Sequence, residues 1–227
     1  MPLNLLKVLL PAAALSLVLP AVLPASAQMD APGARSEPEP AQRYDADRVF
    51  LSREISERGY EAGLFPKHTR SVIRHRTTLR NDRYIWNEAH QTGGTLIIWV
   101  DLRRQIISVY RDGHEIGSSF MTYGADNFAT PVGRFTILRK DADYHSRTYD
   151  AAMPNSLFIT ADGVALHGAS MEPGSATHGC IGLPTGFSRK LFEAANRGDV
   201  VEIVRSDGAL VDKLSRSSNS ETSAADR

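Results

Sequence analysis

The dipeptide Asp112-Gly113 sits between two apolar, β-branched runs, residues 106–110 (IISVY) and 115–121 (EIGSSFM). Aspartate and glycine both tolerate positive φ, so this pattern reads as strand, tight turn, strand, and nothing else in the chain narrows the fold as much. A further apolar run at 95–100 (TLIIWV) precedes the pair. Thr130-Pro131-Val132-Gly133 suits a type I turn leading into a strand at 134–138. Residues 156–160, 163–166 and 200–204 read as further strands, whereas 141–154 is polar, lacks periodicity and reads as a long loop able to wall or cover a groove. Thr185 is placed to cap a helix whose apolar face holds Phe187, Leu191, Phe192 and Ala195, with Gly198 ending it. The fold class expected is mainly β with a few helices (α+β), a mixed and mostly antiparallel sheet assembly.

A chain of 227 residues with 42% hydrophobic side chains is long enough for one globular domain with extensions. Residues 1–27 have the plan of a signal peptide: Lys7, an apolar run at 8–23 and a small-x-small site at Ala25-Ser26-Ala27, with cleavage expected after Ala27 and the periplasm as destination. Residues 28–44 are rich in Pro, Ala, Glu and Ser and read as a disordered linker. The next stretch, 45–93, reads as a helical and partly basic extension, with Asp45 or Asp47 as N-cap and Gly63 as stop. Its basic part collects Lys67, Arg70, Arg74, Arg76, Arg80 and Arg83, either a solvated helix face or a surface for anionic polymers and headgroups. Tyr84 and Trp86 are expected to pack this extension onto the domain at 94–205, and 206–227 reads as a disordered tail.

The formal net charge is zero, and loss of Lys7 with the leader makes the mature chain one unit negative. Nothing in that balance calls for nucleic acid, and membrane contact is expected only through the removed leader. Cys180 is the single cysteine, so no intramolecular disulfide can form.

That cysteine stands in VALHGASMEPGSATHGCIGLP (164–184), with His178 and His167 in the same segment. A thiol is nucleophilic as thiolate, and a nearby imidazole is the natural acceptor of its proton. Gly179 lets the backbone approach a substrate carbonyl, where the Gly179 and Cys180 N–H groups could meet a developing oxyanion. Two plainer readings stand beside this one: an inert buried thiol, and a zinc site formed by His167, His178 and Cys180.

His167-Gly168 followed by Thr177-His178-Gly179-Cys180-Ile181 resembles the active-site signature of the L,D-transpeptidase (YkuD-type) catalytic domain family. Thr130-Pro131-Val132-Gly133-Arg134-Phe135 and Met153-Pro154 add to the resemblance, which covers about 94–204. The chain departs from it at Gly182, where the family often has arginine or asparagine, and in a shorter loop between His167 and His178. The resemblance implies Cys180 as nucleophile, His167 as base, the Gly168 carbonyl as the group that orients it, and His178 with Gly179 around the oxyanion. It implies Tyr123, Gly124 and Thr177 as substrate contacts, no cofactor, and peptidoglycan stem peptides as substrate. A thioester so formed could pass to a second stem peptide, to a lysine of a wall-anchored lipoprotein, or to water. A non-catalytic wall-binding module is the alternative from another class.

Overall fold

The computed structural model describes residues 44–45, 48–75, 78–88, 93–172 and 174–209; the expected leader and nearly all of the expected linker and tail lie outside them. The extension begins with β1 (Tyr44–Asp45) and β2 (Arg48–Phe50), then α1 (Arg53–Glu61), β3 (Ser71–Ile73) and β4 (Tyr84–Trp86). The domain expected at 94–205 follows with β5 (Leu96–Asp101), β6 (Ile106–Arg111), β7 (His114–Phe120), β8 (Gly133–Thr136), β9 (Arg139–Ser146) and β10 (Ala151–Phe158). The chain then forms β11 (Ala165–Gly168), β12 (Ile181–Leu183), α2 (Thr185–Ala194) and β13 (Val200–Val204).

Nine of these strands make one sheet in the order β1-β2-β3-β7-β6-β5-β13-β8, with β4 also paired to β7. The other four make a second sheet, β12-β11-β10-β9. Most pairs are antiparallel; β13 with β5, β3 with β7 and β11 with β12 are parallel. The mixed, mainly β class is therefore the one observed. The turn at Asp112 (φ 48°) and Gly113 (φ 78°) has both central residues left-handed, as a type I′ hairpin requires.

Helix α2 lies where its apolar spacing put it. Phe187 and Leu191 are fully buried in one core with Ile98, Val109, Ile116, Leu166, Ile181 and Ile203. Tyr84 and Trp86 meet Phe187 edge-on at ring-centroid distances of 5.8 and 5.4 Å, which fastens the extension to the domain as expected. Two expectations about this helix need correcting. Pro184, not Thr185, is the N-cap and gives no side-chain hydrogen bond, and Gly198 (φ 90°) shapes the turn into β13 after the helix has already stopped at Ala195.

Two larger corrections concern segments with poor periodicity. Residues 141–154 are not a long loop: β9 and β10 pair from Arg139↔Phe158 to Ser146↔Ala151 as a hairpin, with only the tip unpaired. Most of β9 is exposed or half-buried, so no apolar alternation marked it. The extension is not mainly helical either. Ser52, whose Oγ accepts from the Ile55 amide at 3.2 Å, caps a helix of nine residues, and Asp45 lies in a strand. The strands β2 and β3 are held by Arg48, which is only 4% exposed. Its Nη1 donates to Ser71 Oγ at 2.9 Å and to the Glu115 carbonyl at 2.7 Å.

Glu115 is where the extension meets the main sheet. Its Oε2 accepts from the Ile73 amide at 2.6 Å. Burial pushes its carboxyl up to about 7, against hydrogen bonds from Ser108 and Ile73 and the charges of Arg48 and Arg104. Between its ordinary 4.5 and about 7 the unfolded chain has released a proton that the folded one keeps, so this group lowers stability as pH rises through that window. Glu115→Gln keeps an acceptor for Ile73 and cannot titrate. Thermal unfolding at pH 4.5 and pH 7.5 should show the wild type losing roughly 5–10 °C relative to this variant. Parallel pH profiles for the two proteins would show that Glu115 is not held protonated.

Candidate active site

Strands β11 and β12 run parallel with Leu166 opposite Ile181, His167 opposite Gly182 and Gly168 opposite Leu183. Leu166 and Ile181 both belong to the main core, so their neighbours in sequence point to the other face of this sheet. One rung back on the same register, Cys180 stands opposite Ala165, on the face that carries His167. Neighbouring strands are about 4.8 Å apart and two residues rise about 6.6 Å, so the Cys180 and His167 backbones are roughly 8 Å apart. Two side chains can close that gap.

His167 is 8% exposed and its Nδ1 lies 2.9 Å from the Gly168 carbonyl. A carbonyl only accepts, so Nδ1 carries the proton and Nε2 keeps its lone pair. Burial lowers the affinity of this imidazole for a second proton, partly offset by the Gly168 bond. Cys180 is half-buried, against Met153, Phe158, Ala165 and Tyr144. Burial pushes its thiol up, with a smaller opposing effect from the Ala165 backbone. Its Sγ lies 3.8 Å from the Gly163 carbonyl, and its contact is to that oxygen and not to the imidazole. The resting pair is thus a neutral thiol and a neutral imidazole on one face, unbonded to each other.

The cysteine loop is pinned from the strand end after β7. Thr122 and Gly182 exchange backbone hydrogen bonds, both 2.9 Å, and this joins the two sheets. The Thr177 amide donates to the Tyr123 carbonyl at 3.1 Å, the Ala125 amide to the Thr177 carbonyl at 3.2 Å, and Thr177 Oγ1 to the Cys180 carbonyl at 2.5 Å. Gly179 is left-handed at φ 101°. Gly124 packs so closely under it that a Cβ there would lie 2.8 Å from the Gly179 nitrogen and 1.9 Å from the Phe128 carbonyl. Gly182, the departure from the signature, has a physical cause: a Cβ would meet Thr122 Oγ1 at 2.4 Å.

Of the residues expected to act, Cys180, His167 and Gly168 lie on or beside the adjacent strands β11 and β12. Tyr123, expected to touch substrate, packs its half-buried ring against the main core, under the Arg205 guanidinium at 5.8 Å. It serves the site through its backbone, and Gly124 and Thr177 likewise act on the loop. His178 stands apart from Cys180 and His167 in its contacts. It is exposed, and its ring stacks on Tyr149 (4.4 Å, 17°) and meets Phe128 edge-on (4.6 Å, 67°). Those aromatics come from the tip of the β9–β10 hairpin and the short 3-10 turn Asp126–Phe128, so the His178 ring ties both to the loop. Neither aromatic was foreseen, since no sequence spacing links them to His178. Among the described residues no three His, Cys, Asp or Glu side chains gather as a metal site, so the His167, His178 and Cys180 zinc arrangement is not assembled.

A thiol and an oriented imidazole on adjacent parallel strands, under a pinned glycine loop, define the class: a β-rich domain with a paired cysteine and histidine. Residues 95–203 match the model of the YkuD family, the L,D-transpeptidase catalytic domain. The domain formed by these residues belongs to that family. The chain is 26% identical over 134 residues to L,D-transpeptidase 1 of Mycobacterium tuberculosis (strain ATCC 25618 / H37Rv), across 52% of this chain and 53% of the relative. It thus spans about half the length of that curated relative. Among solved structures, an L,D-transpeptidase from Stackebrandtia nassauensis is 26% identical with a TM-score of 0.47, covering 52% of this chain and 60% of that one. One from Mycobacterium smegmatis is 25% identical with a TM-score of 0.46, covering 50% and 60%.

A thiol pushed up by burial holds less thiolate at neutral pH than a free cysteine, whose pKa is roughly 8.5. Alkylation of Cys180 by iodoacetamide should therefore be slower at pH 7 than that of a model thiol, and should still be climbing above pH 9. A rate already level near pH 6 would mean a resting thiolate–imidazolium pair instead.

Proposed function

We propose that this chain is an exported cysteine acyltransferase that acts on peptidoglycan stem peptides. The observation that carries the reading is the β11–β12 register, which sets Cys180 and an Nδ1-protonated His167 on one sheet face. Family membership of residues 95–203 supports the same chemistry and the same substrate class.

Both groups are neutral at rest, so the proton leaves the sulfur as the sulfur attacks. The Sγ bonds to the diaminopimelate carbonyl carbon, its proton passes to His167 Nε2, and the carbonyl oxygen gains negative charge. The resulting imidazolium is the form that burial disfavours, which promotes prompt return of the proton to the departing D-alanine nitrogen as the C–N bond breaks. An incoming amine nitrogen then bonds to the thioester carbon as the C–S bond breaks, and His167 accepts that amine's proton and returns it to the departing sulfur. Gly179 and Cys180 N–H groups are assigned to the oxyanion, each such donor lowering the barrier by about 3 kcal/mol. The Tyr149–His178–Phe128 stack holds the hairpin tip over the loop that presents these donors.

The preferred acceptor is the amine of a second stem peptide, which yields a cross-link. With disaccharide tetrapeptide as the sole substrate, the purified protein should release D-alanine and form cross-linked dimer, and Cys180→Ala should abolish both. Monomeric tripeptide as the only product would select hydrolysis, and turnover by Cys180→Ala would discard the thioester. Export is part of the proposal, resting on the leader at residues 1–27. N-terminal sequencing of material recovered from the periplasm should read Gln28 first; a chain starting at Met1 would mean no cleavage.

A further inference from the structure

A second concavity, of about 820 Å³, lies outside the cysteine loop. His75, Arg80 and Asn81 wall it from the segment between β3 and β4, and Arg104, Gln105 and Phe120 wall it from the ends of β5, β6 and β7. None of its described lining residues is a carboxylate. Asp82 lines an adjoining depression with Arg80 and Arg83. Arg70, from the same basic segment, is matched by Asp112 at 2.9 Å. Arg80 and Arg104 are exposed and form no ion pair among the described residues; the acid whose charge Arg104 reaches is Glu115, buried within the sheet.

The two walls are held in place by uncommon backbone. Asn81 (φ 53°) and Gln105 (φ 55°) are both left-handed without being glycine. The turn that presents Arg104 is organised by Asp101, 1% exposed, whose Oδ1 accepts from the amides of Arg103 (3.0 Å), Arg104 (3.3 Å) and Ser206 (3.2 Å). Arg104 also bears on His75, whose imidazole is held neutral first by burial and then by that guanidinium. Two guanidinium forks and an imidazole facing a space with no acid suit a carboxylate or a phosphate.

Phe120, on the wall of this concavity, lies two residues before Thr122. Met121 is fully buried in the core, so strand alternation sends Phe120 and Thr122 to the opposite side together. Thr122 is bonded to Gly182, two residues past Cys180. The path from Phe120 to the level of the cysteine is about four residues of extended chain, or roughly 13 Å. An extended peptide of about four residues spans the same distance.

We propose that this cleft binds a free carboxylate of the stem-peptide strand engaged at Cys180, with Arg80 and Arg104 as its ligands, so that the extension completes the substrate site. This rests on the functional reading above. Diaminopimelate-containing stem peptides carry free carboxylates, and a strand anchored at both ends would be held in register across the thiol.

The test combines Arg80→Gln and Arg104→Gln in one chain and uses disaccharide tetrapeptide as probe. KM should rise at least tenfold with kcat little changed, Arg80→Lys with Arg104→Lys should recover part of the loss, and carbapenem adduct formation at Cys180 should stay within about twofold. Calorimetric binding of the same tetrapeptide to Cys180→Ala, with and without the two glutamines, reads the cleft without turnover and should weaken by a similar factor. Unchanged KM and unchanged binding would overturn the inference while leaving the acyltransferase reading intact. Loss of inorganic phosphate binding in the variant with tetrapeptide affinity unaffected would also overturn it, and would assign the cleft to a phosphate ligand. Wild-type protein that neither turns over tetrapeptide nor takes up carbapenem would sink the parent reading instead, and the binding arm would still decide the cleft.

Discussion

The two-way hydrogen bond between Thr122 and Gly182 is the constraint on which the site depends. It is the place where the large sheet grips the small one, at the first strand residues after the cysteine. With that grip, the segment 122–125 can hold the loop at Thr177 and pack Gly124 beneath Gly179. Without it, Cys180 would end a free loop and no longer share a fixed face with His167. The crowding of Gly182 by Thr122 makes the same point in steric terms, since a side chain at 182 would force the two sheets apart.

The site's electrostatics follow from burial more than from charge. Among the described residues no carboxylate orients His167; a backbone carbonyl does so, which fixes the tautomer without adding a negative charge that would favour the imidazolium. Burial then acts on both partners in the same direction, towards their neutral forms. A pair arranged in this way keeps its sulfur unreactive until a substrate carbonyl arrives. That is consistent with the export proposed above, since a standing thiolate outside the cytoplasm is exposed to oxidants.

How much of this was legible in the sequence depended on whether the signal was local. Asp112-Gly113 and the Phe187–Leu191 spacing announce themselves because a left-handed turn and an apolar helix face are written in adjacent residues. Cys180, His167 and Gly168 were legible through a short signature, and the strands supplied the rest. The β9–β10 hairpin was not, because a pair of strands with much of their surface wet has no apolar rhythm to show. Nothing in the sequence marked Arg48 either, because the serine hydroxyl and strand carbonyl that hold it in its buried place lie far along the chain. The surroundings of His178 and Tyr123 were not legible for one shared reason, that the partners of each side chain, Tyr149 and Phe128 or the packed core, arrive only on folding.

The central claim is that a single sulfur accepts the acyl group and that His167 removes its proton. Intact-mass spectrometry during exposure to a carbapenem tests both halves in one time course. The account predicts one adduct per wild-type chain, mapped to Cys180, with His167→Ala forming it at least a hundredfold more slowly. An adduct on any other residue, or equal rates for the two proteins, would contradict it.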